Sequence, residues 1–454
     1  PEIPVADSTA LNYTFQNPYK SRRVTITTTS DTGLTAAGLI PNTLTVAADT
    51  EYRLPKQRNY DMAFGADYVV TQLDNSLLNA TYQAYTGSGV YFDPGLTALF
   101  KVGISDLMDD VRLIGGVRLS GDLNSNEYYI SLEMLKKRID HQLTFYRQSR
   151  EDYSVYSLIK VRTHELAYQS KLPFNDLHSL RFTGSFRTDA GVVMSTDYLS
   201  LREPNRYEYW GSLKAEYVFD NTISTGLNLY NGIRYKFFAE TFKQIDEKNS
   251  FLNVIGFDFR CYTKVHRQII WANRFAASTS FGDLKLIYYL GSVDNAMAPS
   301  DNFNYAVRVD QSQHYAFQAL ASNMRGFRQN IRNGNSFALI NSELRIPLFQ
   351  YLLNRPIKSD FIRNFQVVGF FDGGSAWTGS SPYAKDNNLN LDIIQSGPLT
   401  ITVNKKMEPL VFGTGFGLRS RILGYFMRAD WGWGYNDGYF TPKSLFNFSL
   451  SLDF

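Results

Sequence analysis

Cysteine is almost absent from this chain of 454 residues: Cys261 stands alone, so no internal disulfide forms and no Cys-x-x-Cys or Cys/His zinc pattern can be assembled. Histidine is also scarce. His141, His164, His178, His266 and His314 lie far apart, none with a partner at helical metal-ligand spacing, and no metal or other cofactor is expected. No window of eighteen uncharged apolar residues occurs, which excludes a helical membrane protein. It does not exclude a transmembrane β-barrel, whose strands alternate apolar and polar residues and average to an unremarkable mean hydropathy, here −0.27. Net charge is nearly absent too, at +3 from 46 basic and 43 acidic residues, with the basic ones scattered rather than gathered into a stripe. A nucleic-acid partner is therefore not expected. There is no Gly-x-Ser-x-Gly elbow and no histidine with a Ser or Asp partner in the strand pattern, so no enzyme is expected. The chain opens on Pro1-Glu2, without a charged segment leading into an apolar run, as a processed or trimmed chain would, and shows no export signal.

What is abundant is aromatic: 33 Phe, 30 Tyr and 5 Trp, 15% of the chain. These residues fall into segments with a period of two. At the end Phe446, Phe448, Leu450, Leu452 and Phe454 share one face, opposite Asn447, Ser449, Ser451 and Asp453. Leu96, Ala98, Phe100, Val102 and Ile104 oppose Thr97, Lys101, Gly103 and Ser105. Ile340, Leu344 and Ile346 oppose Asn341, Glu343 and Arg345, and Met427, Ala429 and Trp431 oppose Arg428 and Asp430. One face wholly apolar and one polar describes a strand between hydrocarbon and water. A soluble sandwich gives the same alternation. Charges of both signs on the second face and the aromatic load at strand ends favour a barrel with a wet lumen and interfacial girdles.

Polar breaks at Ser120–Asn126, Phe219–Asn221 and Thr263–His266 suit tight hairpins, and the irregular stretches Val293–Ala316 and Ser380–Glu408 suit long loops on the opposite side. Counting from Leu96, the remainder divides into roughly sixteen units of about 22 residues, consistent with ~10-residue transmembrane strands. The expectation is an all-β, antiparallel transmembrane barrel of about sixteen strands over residues 95–454, with long extracellular loops, one of them folded inward. Residues 1–94, which include strand-like pieces such as Asp61–Gln72, are expected to be a linker or the rim of a preceding periplasmic domain.

Three features belong together: Met324-Arg325-Gly326-Phe327 in the long loop, the run Val367-Val368-Gly369-Phe370-Phe371-Asp372-Gly373-Gly374, and the terminal aromatic strand. In order and spacing they resemble the BamA/TamA superfamily of outer-membrane barrels, over Leu96–Phe454 and most strongly from Leu290 onward. Stretches such as Ile104-Ser105-Asp106-Leu107 and Asn273-Arg274-Phe275-Ala276-Ala277-Ser278 are similar to a Bacteroidota branch whose barrel follows a TolB-like propeller instead of POTRA repeats. Leu290-Gly291-Ser292 departs from the Gly-Gly that many members carry there. Physical chemistry points the same way. Arg325 offers a planar fork to a lumen-facing carboxylate, with Asp372 the obvious acceptor and Glu343 and Arg345 supplying alternative pairings. Gly326 permits a tight loop tip, Phe327 is expected to pack near Phe370, and Gly374 clears the wall where the tip approaches. The other reading makes Arg325 a solvated loop charge and Asp372 a turn former.

The resemblance implies an outer-membrane machine that inserts or translocates client proteins without covalent chemistry. Its partners would be outer-membrane lipids, clients and accessory periplasmic or lipoprotein subunits. A lateral seam is expected where the first strand, with Leu96, Phe100 and Gly103, meets the last, with Phe448, Leu450 and Phe454. The competing function is a passive porin or small-molecule transporter, which needs a fixed charged constriction and not a docked loop.

Overall fold

The computed structural model describes residues 63–454 apart from short breaks, the longest at 297–306. Residues 1–62 lie outside the described residues. Sixteen wall strands follow one another: β1 Phe64–Asp74, β2 Thr97–Asp106, β3 Val111–Ser120, β4 Asn126–Met134, β5 Asp140–Tyr153, β6 Leu158–Pro173, β7 His178–Val193 and β8 Arg206–Asp220. They continue as β9 Leu229–Gln244, β10 Phe251–His266, β11 Ile269–Gly282, β12 Ser336–Ile346, β13 Gln366–Trp377, β14 Val411–Ile422, β15 Tyr425–Asn436 and β16 Leu445–Ser449. Each pairs antiparallel with the next in chain order. Ile223–Gly226 and Tyr439–Phe440 are short additions that bring the described sheet to eighteen strands.

The two faces of this sheet are inverted relative to a water-soluble protein. Phe100, Ile130, Phe145, Leu166, Phe182, Leu213, Phe237, Ile255, Phe275, Leu344, Phe371 and Phe416 are exposed on the outside. Arg118, Glu127, Arg150, Arg187, Asp189, Glu343, Arg345, Asp372, Arg419, Arg428 and Asp430 are buried on the inside. Apolar-out and charged-in is the arrangement that hydrocarbon surroundings stabilise and water does not.

Inside the curve sits a second, four-stranded sheet. Lys285–Leu290 runs parallel to Tyr315–Ala321 and antiparallel to Arg332–Gly334, while Gln83–Ala84 flanks the far side of Tyr315–Ala321. Leu286, Ile287, Tyr288, Tyr289 and Leu290 are consecutively buried because both faces of the strand are covered. Inward side chains fix this sheet: Arg150 donates to Gln83 Oε1 and the Ala84 carbonyl (both 2.5 Å), and Arg187 donates to the Tyr82 carbonyl (2.5 Å) while lying over the Phe317 ring. The described parts of the segment between β11 and β12 are thus folded into the lumen from the end that carries the long loops.

Three expectations need correcting. The sheet starts at Phe64, since β1 is in register with β2 from Phe64↔Asp106 to Asp74↔Thr97. A register shift between Ala66 and Tyr68 breaks the alternation there, and Gly65, Ala66, Thr71 and Gln72 give it little apolar signature. Consequently the stretch from Thr97 to Ile104 lies in the second strand, with β1 on one side and β3 on the other, and Leu96 just precedes it. The Ser120–Asn126 break lies at the long-loop end, because β1, β3 and β5 all run towards that end. Finally, the last strand stops at Ser449 instead of continuing to Phe454. Asp453 takes a left-handed backbone, φ 65°, and turns Phe454 inward among Leu229, Tyr262, Ile270 and Ala272. The polar groups waiting in the lumen for Asp453 outweigh continuation along the wall.

Candidate functional site

Adjacent registers on β12–β15 bring the inward residues into rows across the wall. Asn341, Asp372, Gly413 and Gly434 form one row, and Glu343, Phe370, Gly415 and Gly432 the next. Below them run Arg345, Val368, Gly417 and Asp430. The glycines leave a lane without side chains, and the tip of the inner loop lies in it.

Arg325 enters this lane wholly buried. Its Nε donates to Asp372 Oδ2 and its Nη2 to Asp372 Oδ1, both at 2.7 Å, which is the planar fork that favours arginine over lysine. The Arg325 backbone N–H also donates to Asp372 Oδ2 at 3.1 Å, and Nη1 donates to Glu343 Oε1 at 2.5 Å. Its guanidinium carbon lies 3.8 Å from the centroid of the Phe370 ring, whose negative face complements the charge. Asn341 Nδ2 completes the setting by donating to Asp372 Oδ1 (2.8 Å) and to the Asn323 carbonyl (2.6 Å).

Close backbone approach explains the glycines. Gly326 has φ +88°, and a Cβ there would come within 2.7 Å of the Trp433 carbonyl carbon. A Cβ on Gly413 would collide with the Arg325 carbonyl oxygen, one on Gly432 would meet Gly326 N at 2.7 Å, and one on Gly434 the Phe327 ring at 2.5 Å. Gly374 does something other than expected: its missing Cβ leaves space for the Ala338 carbonyl and Leu339 on the next strand. Phe327 packs in the cluster of Met324, Leu290, Leu339, Ala376 and Val411, while Phe370 serves as the platform for Arg325.

Below the tip, Glu343 is the centre of a buried charge network. Besides Arg325 it accepts from Arg345 Nε (2.8 Å), Arg419 Nη1 (3.0 Å) and Arg419 Nη2 (2.6 Å), with Arg428 at 3.8 Å. Asp430 lies 3.4 Å from Arg428 and 4.0 Å from both Arg325 and Arg419. Asp453 closes the network from the tail. Its carboxylate accepts from Arg345 (3.0 Å), Arg260 (2.9 Å), Tyr262 (2.5 Å) and Arg234, its carbonyl from Arg428 (2.7 Å), and its N–H donates to Asn228 Oδ1 (2.7 Å). Arg325, Arg345, Arg419 and Arg428 are thus matched by Glu343, Asp372, Asp430 and Asp453, and burial of so many charges is tolerated only with such matching.

The structure therefore brings together Arg325, Gly326, Phe327, Asp372, Phe370, Glu343 and Arg345. It does not bring together the expected seam residues. Leu96 and Phe100 are exposed near or on β2, and Gly103 lies beneath the Tyr68 ring of β1. Phe448 and Leu450 are half-buried, and Phe454 is buried in the lumen. Arg419, Asp453, Gly432 and Gly434 were not singled out from the sequence as site residues, although Gly413-x-Gly415-x-Gly417 and Gly432-x-Gly434 on inward faces are a readable signal for close approach.

A sixteen-strand wall of inverted polarity whose longest loop returns into the lumen and docks through a buried arginine defines a transmembrane β-barrel of the outer-membrane type. More narrowly, its fold is that of BamA: the chain matches BamA from Haemophilus ducreyi lacking POTRA domains 1–3 over 84% of its own length and 74% of that chain, with a TM-score of 0.52 at 10% identity. CdiB from Escherichia coli matches less well, with a TM-score of 0.45 at 12% identity over 86% of this chain and 67% of that one. No protein-family profile matches the chain, and no curated protein matches it in sequence.

Proposed function

We propose that the chain is an outer-membrane protein insertion or translocation machine of the BamA/TamA kind, acting without covalent chemistry at a lateral seam between the first and last wall strands. Those strands are β1 and β16. The observation that carries the reading is the contrast between a filled lumen and an unzipped edge. The inner sheet and the Arg325 tip occupy the long-loop half and the Asp453 tail the other, whereas among the described residues no register joins β1 to β16. The approach across this gap is a hydrogen bond from Leu73 N–H to the Tyr425 hydroxyl on β15, at 3.0 Å. Unpaired strand edges are templates for another strand, and in hydrocarbon each unsatisfied backbone group costs several kcal/mol, which gives an incoming client strand its driving force. Client proteins and lipids are the partners this requires. Accessory periplasmic or lipoprotein subunits, and a TolB-like propeller ahead of the barrel, belong to the same proposal.

The test is a lock across the seam. In a Cys261→Ser background, Gln72→Cys in β1 and Asn447→Cys in β16 are joined with a cleavable bifunctional thiol reagent, and the protein is reconstituted with an unfolded eight-stranded barrel as client. Assembly of the client should stop on locking and resume on cleavage. Undiminished assembly by the locked barrel would place the route through the lumen instead.

A further inference from the structure

We infer that Ser292–Asp294 and Ala296 of the inner loop belong to an arm that occupies the free edge of the last strand, and that docking of Arg325 holds the arm in place. The docking motif would then be the latch of the seam. This inference takes its functional meaning from the seam proposed above, but its geometry stands independently.

Ser449, the final residue of β16, is paired on both sides. Arg428 of β15 is its partner within the wall, and Ala296 forms an antiparallel bridge with it from the other side. That second side is the one a neighbouring wall strand would use. Both residues are buried. Beyond Ser449 the chain departs for the lumen, so the arm meets β16 at the point where its wall pairing ends.

The arm is bonded in turn to the docking tip. Ser292 and Met324 form an antiparallel bridge, with Met324 N–H donating to the Ser292 carbonyl (2.8 Å) and Ser292 N–H donating to the Phe327 carbonyl (3.1 Å). The Asp294 N–H donates to Asn323 Oδ1 (2.9 Å), and Asn323 itself accepts from Asn341 on the wall. Arg325 lies between Met324 and Phe327, so the residues that carry the arm are the neighbours of the residue clamped by Asp372 and Glu343. Withdrawal of Arg325 from Asp372 removes the support of Met324 and Phe327, and with it the support of Ser292 and Ala296.

At rest the arm covers the edge of β16 at Ser449. A strand arriving at this edge needs the same position and must displace the arm. Edge occupancy by the loop and edge occupancy by a client are therefore mutually exclusive, and the strength of the Arg325 clamp sets the balance.

Crosslinking of the full chain in detergent tests the geometry. In a Cys261→Ser background, Ala296→Cys with Ser449→Cys should form an oxidative crosslink. Thr414→Cys with Trp433→Cys, register partners within the wall, should also close and serves as the folding control. Adding Arg325→Ala should lower the first crosslink at least fivefold and leave the second unchanged. No arm crosslink while the wall pair closes would overturn the placement, and an arm crosslink indifferent to Arg325→Ala would overturn the latch. A second experiment uses Ala296→Pro, which restricts the backbone of the arm where it meets β16 and is poorly tolerated in a paired strand. A photoreactive peptide with the sequence of residues 445–454 should then label β16 several-fold more than in the unaltered barrel. Unchanged labelling would mean that the arm does not guard the edge. If the crosslinks behave as stated and no barrel variant assembles clients, the arm is real and the seam reading fails.

Discussion

Arg325 divides its donors between two carboxylates on two strands, and this sets what its removal should do. Breaking a fully buried pair leaves the survivor uncompensated at a cost of about 3–5 kcal/mol. Asp372 holds the fork, the Arg325 N–H and Asn341 together, so Asp372→Ala should be at least as damaging as Arg325→Ala. The double variant should fall well short of the sum, with a coupling of about 0.5–3 kcal/mol as found for directly contacting residues. The compact band of the unheated barrel on a gel, followed through a urea series, measures all three. Additive losses would mean that the two side chains do not share their stabilisation. Backbone conformation accounts for another residue-scale detail: Gly291 and Ser292 both have positive φ, +128° and +65°, so a second glycine at 292 would suit the backbone better than serine does.

At the scale of elements, the last strand is the exception to the rule that alternation decides placement. Residues 446–454 alternate as a full wall strand should, yet only Leu445–Ser449 pair with β15. Asp453 is the anchor that draws the rest inward, reaching residues of β9, β10, β12 and β15. Asp453→Ala would strand three arginines without that acceptor and release the tail. With Phe454→Cys in a Cys261→Ser background, a maleimide probe should react at least tenfold faster when Asp453 is also replaced by Ala. Equal protection would show that the backbone bonds of residue 453 to Arg428 and Asn228 hold the tail without the carboxylate.

For the molecule as a whole, the lumen is obstructed twice. A polar cavity of about 640 Å³, lined by residues including Glu165, Lys214, Glu216, Lys236, Asp258 and Arg274, remains on the β4–β11 side between the inner sheet and the wall. Planar-bilayer recordings should accordingly show small, flickering conductance. Replacing residues 284–334 with a short Gly/Ser link should convert it to large and steady. Porin-like conductance from the unaltered chain would instead favour the passive pore.

The sequence by itself determined the class: the lack of apolar helices, the period-two segments and the charged second face leave an all-β wall between hydrocarbon and water. It also singled out Arg325, Asp372 and Glu343, because a donor fork and inward carboxylates at alternate positions can be read locally. Tertiary structure decided the rest. Periodicity fixes which side chains share a face, whereas the neighbour of a strand depends on register with residues far away, so bulged, weakly apolar β1 was placed only by its pairing with β2. The glycine lane acquires its meaning when β13, β14 and β15 align, since no single strand reveals what lies above it. Asp453 is an ordinary polar position in an alternating strand until Arg345, Arg260 and Tyr262 converge on one point of the lumen, and that convergence outweighs the pattern that would have kept Phe454 in the wall.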